Sequence, residues 1–213
     1  MIRVVNYHLT PASHADMLDR EFAALAARYA PVGEQELTEY LTTRRWPMGR
    51  PGVLPVFYNG YRNNFDVARP LLDRHGLIGW FMAVTCFSSC PAADQADFAK
   101  SHHLTTLPGE YPDGRVALSW GELRKLDARH VVASHTRSHS PASQTDMVQL
   151  QDQIVGAQQD FIRELGHSVR SCAWHLGGRY SENPLADATI EQAGHDILFS
   201  NFAVQRLPVR LRR

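Results

Sequence analysis

An α/β fold is predicted for this 213-residue chain, and three observations predict it. Strand-like apolar runs alternate with runs of helical periodicity from one end of the chain to the other, as when strands feed covering helices. The run "LIGWFMAVTCF" (77–87) is nearly continuous in apolar residues, which suits a strand buried on both faces. No repeat or low-complexity linker divides the chain. With 44% hydrophobic residues it has enough for one core, so residues 1–213 read as a single domain.

The elements follow in order. "IRVVNYH" (2–8) reads as a first strand, and "ADMLDREFAALAARYA" (15–30) carries apolar residues at helical spacing. "GEQELTEYLTTRR" (33–45) is a second, shorter helix, and "GVLPVFYNG" (52–60) the next strand. In the helix "FDVARPLLDRHG" (65–76), Pro70 marks a kink or early turn and Gly76 a terminator. The strand at 77–87 is followed by a loop-rich stretch, 88–116, that holds "HHLTTLPGEYPDG". "SWGELRKLDARH" (119–130) opens with Ser119 and has Glu122 three residues later, a capping box. A short strand, "VVASH" (131–135), precedes a long helix, "TDMVQLQDQIVGAQQDFIRELG" (145–166). "VRSCAWHLGG" (169–178) is a strand running into a glycine turn. "NPLADATIEQAG" (183–194) and "HDILFSNFAV" (195–204) are a last helix and strand.

Lys plus Arg equals Asp plus Glu, 22 each, so no basic field points to nucleic acid. The locally basic end "QRLPVRLRR" (205–213) reads as a solvated tail. No apolar run reaches the roughly 18 residues of a membrane span, and the first residues lack the apolar stretch of a secretory signal. The expectation is a soluble, cytoplasmic protein, with a removed signal sequence as the alternative. Cys86 and Cys90 are four apart in "TCFSSC"; a disulfide, a zinc site with His102 and His103, and inert thiols are the readings open to them. Cys172 leaves the cysteine count odd.

The strongest local signal is "SHTRSH" (134–139), directly after a strand. Imidazoles at His135 and His139 are four apart, a spacing that sets both on one side of a helical turn and lets both reach one divalent ion. Two surface histidines in a loop are the plainer alternative. No Gly-x-Ser-x-Gly elbow surrounds Ser134 or Ser138, which excludes that serine-hydrolase arrangement. "YNGYRNN" (58–64) has too few glycines for a phosphate loop. Trp46, Trp80, Trp120 and Trp174 read as core; Trp174 is the best placed to line a sugar groove, since aromatic faces pack on apolar sugar faces.

Taken together, "SWGELRKLDARHVVASHTRSH", "VLPVFYNGYRNNFDVARPLLDRHGLIGWFMAV", "VVNYH" and "CAWHLGGRYSE" resemble, in the right order and over nearly the whole chain, the polysaccharide deacetylase family of carbohydrate esterases with a NodB-type domain. The resemblance implies a distorted (β/α) barrel, here incomplete at its C-terminal end, where no counterpart of the family's general-acid histidine motif is found. It implies metal-dependent hydrolysis of an acetamide or acetyl ester on a carbohydrate, with zinc or a similar ion held by His135 and His139. Tyr58 stands where the family has its Asp general base, and Asn59 where it has an Asp metal ligand; Gly60 and Tyr61 are retained. His175 and Leu176 replace a Pro and an aromatic residue, so the Leu176 N–H is the counterpart of an oxyanion donor and His175 a substitute base or ligand. Trp174, Leu176 and Tyr61 are the implied substrate contacts. A Tyr of ordinary pKa is a poor base at neutral pH, and an amide brings no charge to a metal, so a pseudoenzyme binding carbohydrate or a protein partner is the alternative.

Overall fold

The computed structural model describes residues 1–201 and 203–208. Phe202, inside the expected last strand, and residues 209–213 of the basic end lie outside the described residues. In chain order the elements begin with β1 (Ile2–Tyr7), α1 (Ala15–Arg28), β2 (Ala30–Pro31), α2 (Glu34–Thr43) and β3 (Gly52–Phe57). A π-helical segment (Asn64–Ala68) runs into α3 (Arg69–His75), followed by β4 (Trp80–Ala83), α4 (Thr85–Ser89) and α5 (Gln95–Ser101). Next come α6 (Trp120–Asp127), β5 (Val131–Ser134), and a long helix made of α7 (Met147–Leu150), a π segment (Gln151–Gly156) and α8 (Ala157–Leu165). The chain continues through β6 (Ser171–Ala173), α9 (Pro184–Ala193), β7 (Ile197–Phe199) and β8 (Val204–Arg206).

The sheet order is β1-β3-β4-β5-β6-β7-β8, with β2 beside β3. Every pairing is parallel except β7 with β8. The result is a curled, incomplete α/β barrel, and among the described residues no ladder joins β8 back to β1.

Alternation along the strands divides the core in two. Val53 and Phe57 of β3, Phe81 of β4 and Val132 of β5 face outward, onto Leu18 and Phe22 of α1, Leu71 and Leu72 of α3, Leu123 and Leu126 of α6 and Phe161 of α8. Leu54, Val56, Trp80, Met82, Ala133, Ala173, Ile197 and Phe199 face inward, where Leu37 and Leu41 of α2 pack against them. Within this interior Trp80 donates its indole N–H to the carbonyl of the equally buried Val32 at 2.8 Å.

Local chemistry explains where elements end. Ser119 Oγ accepts from the Glu122 N–H, and the Glu122 carboxylate accepts from the Ser119 N–H at 2.8 Å, so the capping box forms. Gly76 closes α3 in the left-handed conformation at φ 67°. Pro70 sits in the first turn of α3, as expected of an early-turn residue, and the Arg69 N–H before it reaches five residues back to Asn64, which makes the preceding segment π-wound.

Three expectations are corrected. The run at 77–87 is a strand only over 80–83. Beyond it the N–H of Thr85 bonds the Thr136 carbonyl and that of Cys86 the Arg137 carbonyl, turning the chain into α4. Apolar continuity cannot separate a buried strand from a buried short helix, and Phe87 is buried in α4. The 88–116 stretch holds α5 as well as loop. The strand at 169–178 stops after Ala173.

Candidate functional site

Parallel strands place their C-terminal ends together, and the loops leaving those ends form one cleft of about 370 Å³. His8 follows β1, Tyr58 and Asn59 follow β3, His135 follows β5, and Trp174 and His175 follow β6. His139, Leu176 and Tyr61 also line the cleft. Among the described residues, no Asp, Glu, Lys or Arg lines it.

The histidine pair converges by a route the four-residue spacing does not suggest. Residues 135–140 form a turn, not a helix, and Thr136 and His139 are left-handed at φ 66° and 64°. For a β-branched residue such as Thr136 that conformation costs about 1–3 kcal/mol. The Thr136 hydroxyl is used to hold the turn, accepting from the Ser140 N–H at 2.7 Å. The two rings meet edge-to-face, centroids 4.9 Å apart.

Each ring is oriented from behind. His135 Nδ1 lies 3.0 Å from the Ala173 carbonyl and His139 Nδ1 2.7 Å from the His102 carbonyl. A carbonyl only accepts, so both Nδ1 atoms carry the proton and both Nε2 lone pairs are free. Burial holds His135 down to about 3, reinforced by the neighbouring His139, and holds His139 down to about 4; both are neutral near pH 7.

Asn59 occupies a turn that needs its chemistry. It is left-handed at φ 78°, a conformation Asn and Asp tolerate, and Gly60 follows at φ 73°. A Cβ on Gly60 would lie 3.3 Å from Ala83 Cα. Asn59 is 5% exposed; its Nδ2 donates to the Tyr61 hydroxyl at 3.0 Å, and its Oδ1 is buried without a hydrogen-bond partner. Tyr58 packs between His8 and His135, with centroids at 5.5 and 5.3 Å. Burial pushes its phenol up to about 12, so it stays protonated and is no base at neutral pH.

Several residues take places different from those the resemblance implied. Tyr61 lines the cleft but is only 1% exposed, wedged edge-to-face on Phe87, and its hydroxyl accepts from the Asn59 amide. Trp174 is 4% exposed and packs in the core with Leu150, Ile190 and Leu198, giving the cleft a wall rather than an open stacking platform. Leu176 is 74% exposed on the rim, left-handed at φ 64°, and its N–H makes no hydrogen bond among the described residues. His175 stacks on His139 with centroids 3.9 Å apart, and burial lowers its pKa. Asn6, His8, Thr105 and Asn201 also line the cleft and were not singled out from the sequence; His103 lines it too, though the sequence offered it only as a zinc ligand beside Cys86 and Cys90, which lie elsewhere. His8 had a signal, since it directly follows the strand run "VVNY"; Asn6 lies within that strand, and Thr105 and Asn201 lie in loops with none. Cys86, Cys90 and Cys172 are free thiols, and none lines the cleft.

Donor chemistry decides whether the cleft suits a divalent ion. No group of three His, Cys, Asp or Glu side chains among the described residues is placed to hold one. What the cleft offers is two pre-oriented imidazoles and one unpaired amide oxygen, a set that fits a borderline ion such as zinc but adds no charge.

Comparison with solved structures bears on the same frame. The Streptococcus pyogenes deacetylase PplD, solved in complex with acetate, superposes with a TM-score of 0.70 at 14% identity, over 91% of this chain and 80% of that one. The fold is that of the polysaccharide deacetylases. A de-N-acetylase from Aggregatibacter actinomycetemcomitans matches at TM-score 0.69 and 16% identity, covering 93% of this chain and 87% of its own. The BpsB deacetylase domain from Bordetella bronchiseptica matches at 0.69 and 18%, covering 93% and 88%. No family model matches the chain, and no curated protein matches it. No helix among the described residues is long and apolar enough to cross a membrane.

Proposed function

We propose that the cleft receives an acetylated carbohydrate and is a divergent, strongly attenuated deacetylase acting on an acetamide or acetyl ester. The observation that carries this reading is the pair His135 and His139, each pinned through Nδ1 with its Nε2 free, in the cleft that also holds the unpaired Asn59 Oδ1. Those three side chains would hold a divalent ion, zinc or a close relative. Such an ion, when bound, polarises an acyl oxygen and acidifies water.

The remaining residues bind and orient. The rim N–H of Leu176 is free to donate to an acyl oxygen carrying developing charge. Tyr58, protonated, donates a hydrogen bond and cannot remove a proton. His175, whose pKa burial lowers, is the imidazole stacked directly on His139 and offers a lone pair for that task. Losing a positioned carboxylate base removes about 10²- to 10⁴-fold in rate, which is why attenuation is part of the proposal.

A second reading, binding without hydrolysis, is favoured by the absence of any carboxylate among the lining residues. Acetate release from N-acetylglucosamine oligomers and from an O-acetylated polysaccharide, with zinc or cobalt added, separates the two. Slow metal-dependent release that falls further in His175→Ala supports the first. Saturable sugar binding without release selects the second. Neither binding nor release overturns both.

A further inference from the structure

Resting on the reading of His135 and His139 as a ligand pair, we infer that Gln153 is a positioning residue for that pair, presented by the π segment of the α7–α8 helix. The turn 135–140 has no regular ladder of its own, yet it holds two left-handed residues and both imidazoles. Its central amides are taken up by one residue. The Arg137 N–H donates to the Gln153 carbonyl at 3.0 Å, and the Ser138 N–H donates to Gln153 Oε1 at 2.8 Å.

The winding of the helix bears on the first of these bonds, because an ordinary α-helix already uses one lone pair of that carbonyl. There the Gln153 carbonyl would receive the N–H of Ala157. Here the helix is π-wound over Gln151–Gly156, the Ala157 N–H goes to the Ile154 carbonyl, and the Gln153 carbonyl is released to the loop. One residue therefore offers a backbone and a side-chain acceptor to adjacent loop amides, which fixes the direction of the peptides between His135 and His139. Glycine at 156 keeps the approach open, since a Cβ there would lie 3.3 Å from Arg137 Cδ. Arg137 then crosses the helix to pair with Asp152 and, at 3.1 Å, with Asp160, whose carboxylate also accepts from the Thr85 hydroxyl at 2.8 Å. Single π turns inside helices recur at functional sites, and here the turn has a stated task.

The test uses Gln153→Met, which keeps length and packing but removes the Oε1 acceptor, and Gln153→Glu, which restores an acceptor. The imidazole nitrogens of His135 and His139 are followed by NMR in the metal-free protein, with exchange of the Ser138 amide and calorimetric titration with cobalt(II). Gln153→Met is expected to speed Ser138 exchange, mix the His139 tautomers and weaken cobalt binding by about 10-fold, the loss typical of a group that orients a ligand. Gln153→Glu is expected to stay near the native spectra and affinity. Native imidazole spectra in Gln153→Met overturn the inference, as does a Gln153→Glu protein indistinguishable from Gln153→Met. A native protein that binds no cobalt removes the ligand reading, while the imidazole spectra still decide the positioning. Should Gln153→Met not fold, Gln153→Asn, which draws the same amide back by one methylene, takes its place.

Discussion

Asn59→Asp is the substitution that most directly weighs charge at this cleft. The backbone accepts it, because Asp tolerates the left-handed conformation at φ 78° as Asn does. The bond to Tyr61 survives by reversing, with the phenol donating to the carboxylate instead of accepting from the amide. What changes is the cost of a charge at a position 5% exposed. Desolvating a carboxylate costs several kcal/mol, and one donated hydrogen bond offsets only part of that. At an effective dielectric near 20, attraction between that carboxylate and a divalent ion would return roughly 4 kcal/mol or more per unit of the ion's charge. The metal-free variant should therefore melt lower, by about 2–4 °C for each kcal/mol lost. Its zinc affinity should rise by about 10- to 100-fold, the net of the two opposed effects, each tenfold being about 1.4 kcal/mol. Calorimetric titration and melting curves with and without zinc read both quantities. Equal zinc affinity in the native and Asn59→Asp proteins, with His135→Ala also inert, would refute the reasoning and remove the ion from this site.

Further outcomes follow from the same geometry. Tyr58→Asp with Asn59→Asp should raise acetate release above the native level, measured by an enzymatic acetate assay; no gain would mean that the Leu176 N–H or the groove no longer serves. Gly60→Ala should destabilise by more than the roughly 1 kcal/mol that a strain-free exchange would gain, because φ is 73° and the added carbon meets Ala83; chemical denaturation reads it. Burial lowers the pKa of His130, His139 and His195 to about 4 and that of His135 to about 3, so the unfolded chain binds more protons than the folded one between about pH 6.5 and pH 4. Stability should thus be fully present above about pH 6.5 and fall on acidification through that window, with His195→Gln flattening the slope of a melting-temperature profile against pH.

The strand ends that frame the cleft were legible because each follows an apolar run closed by a change of chemistry, as Phe57 gives way to Tyr58 and Ser134 to His135. Capping at Ser119 was legible for the same local reason. The conformation of the histidine turn was not. Four-residue spacing suits a helical turn, and only the partners of Thr136, Arg137 and Ser138, drawn from α4 and from the π segment, pull it elsewhere. Those partners are distant in sequence, so no local pattern announces them. Trp174 and Tyr61 illustrate the converse: residue type suggested sugar contacts, but burial depends on what packs behind them. His103 meets the site from a loop that no quoted motif links to His135 and His139, whereas His8 and His175 lie in motifs that the resemblance already brings together.

A cleft without Asp, Glu, Lys or Arg among its lining residues also sets how a ligand arrives. The described lining therefore offers no ion pair to a charged ligand. Association with a neutral sugar should proceed at an unsteered rate that barely changes between low and high ionic strength. On the proposed reading, differences in occupancy between one sugar and another would then lie in how long each stays.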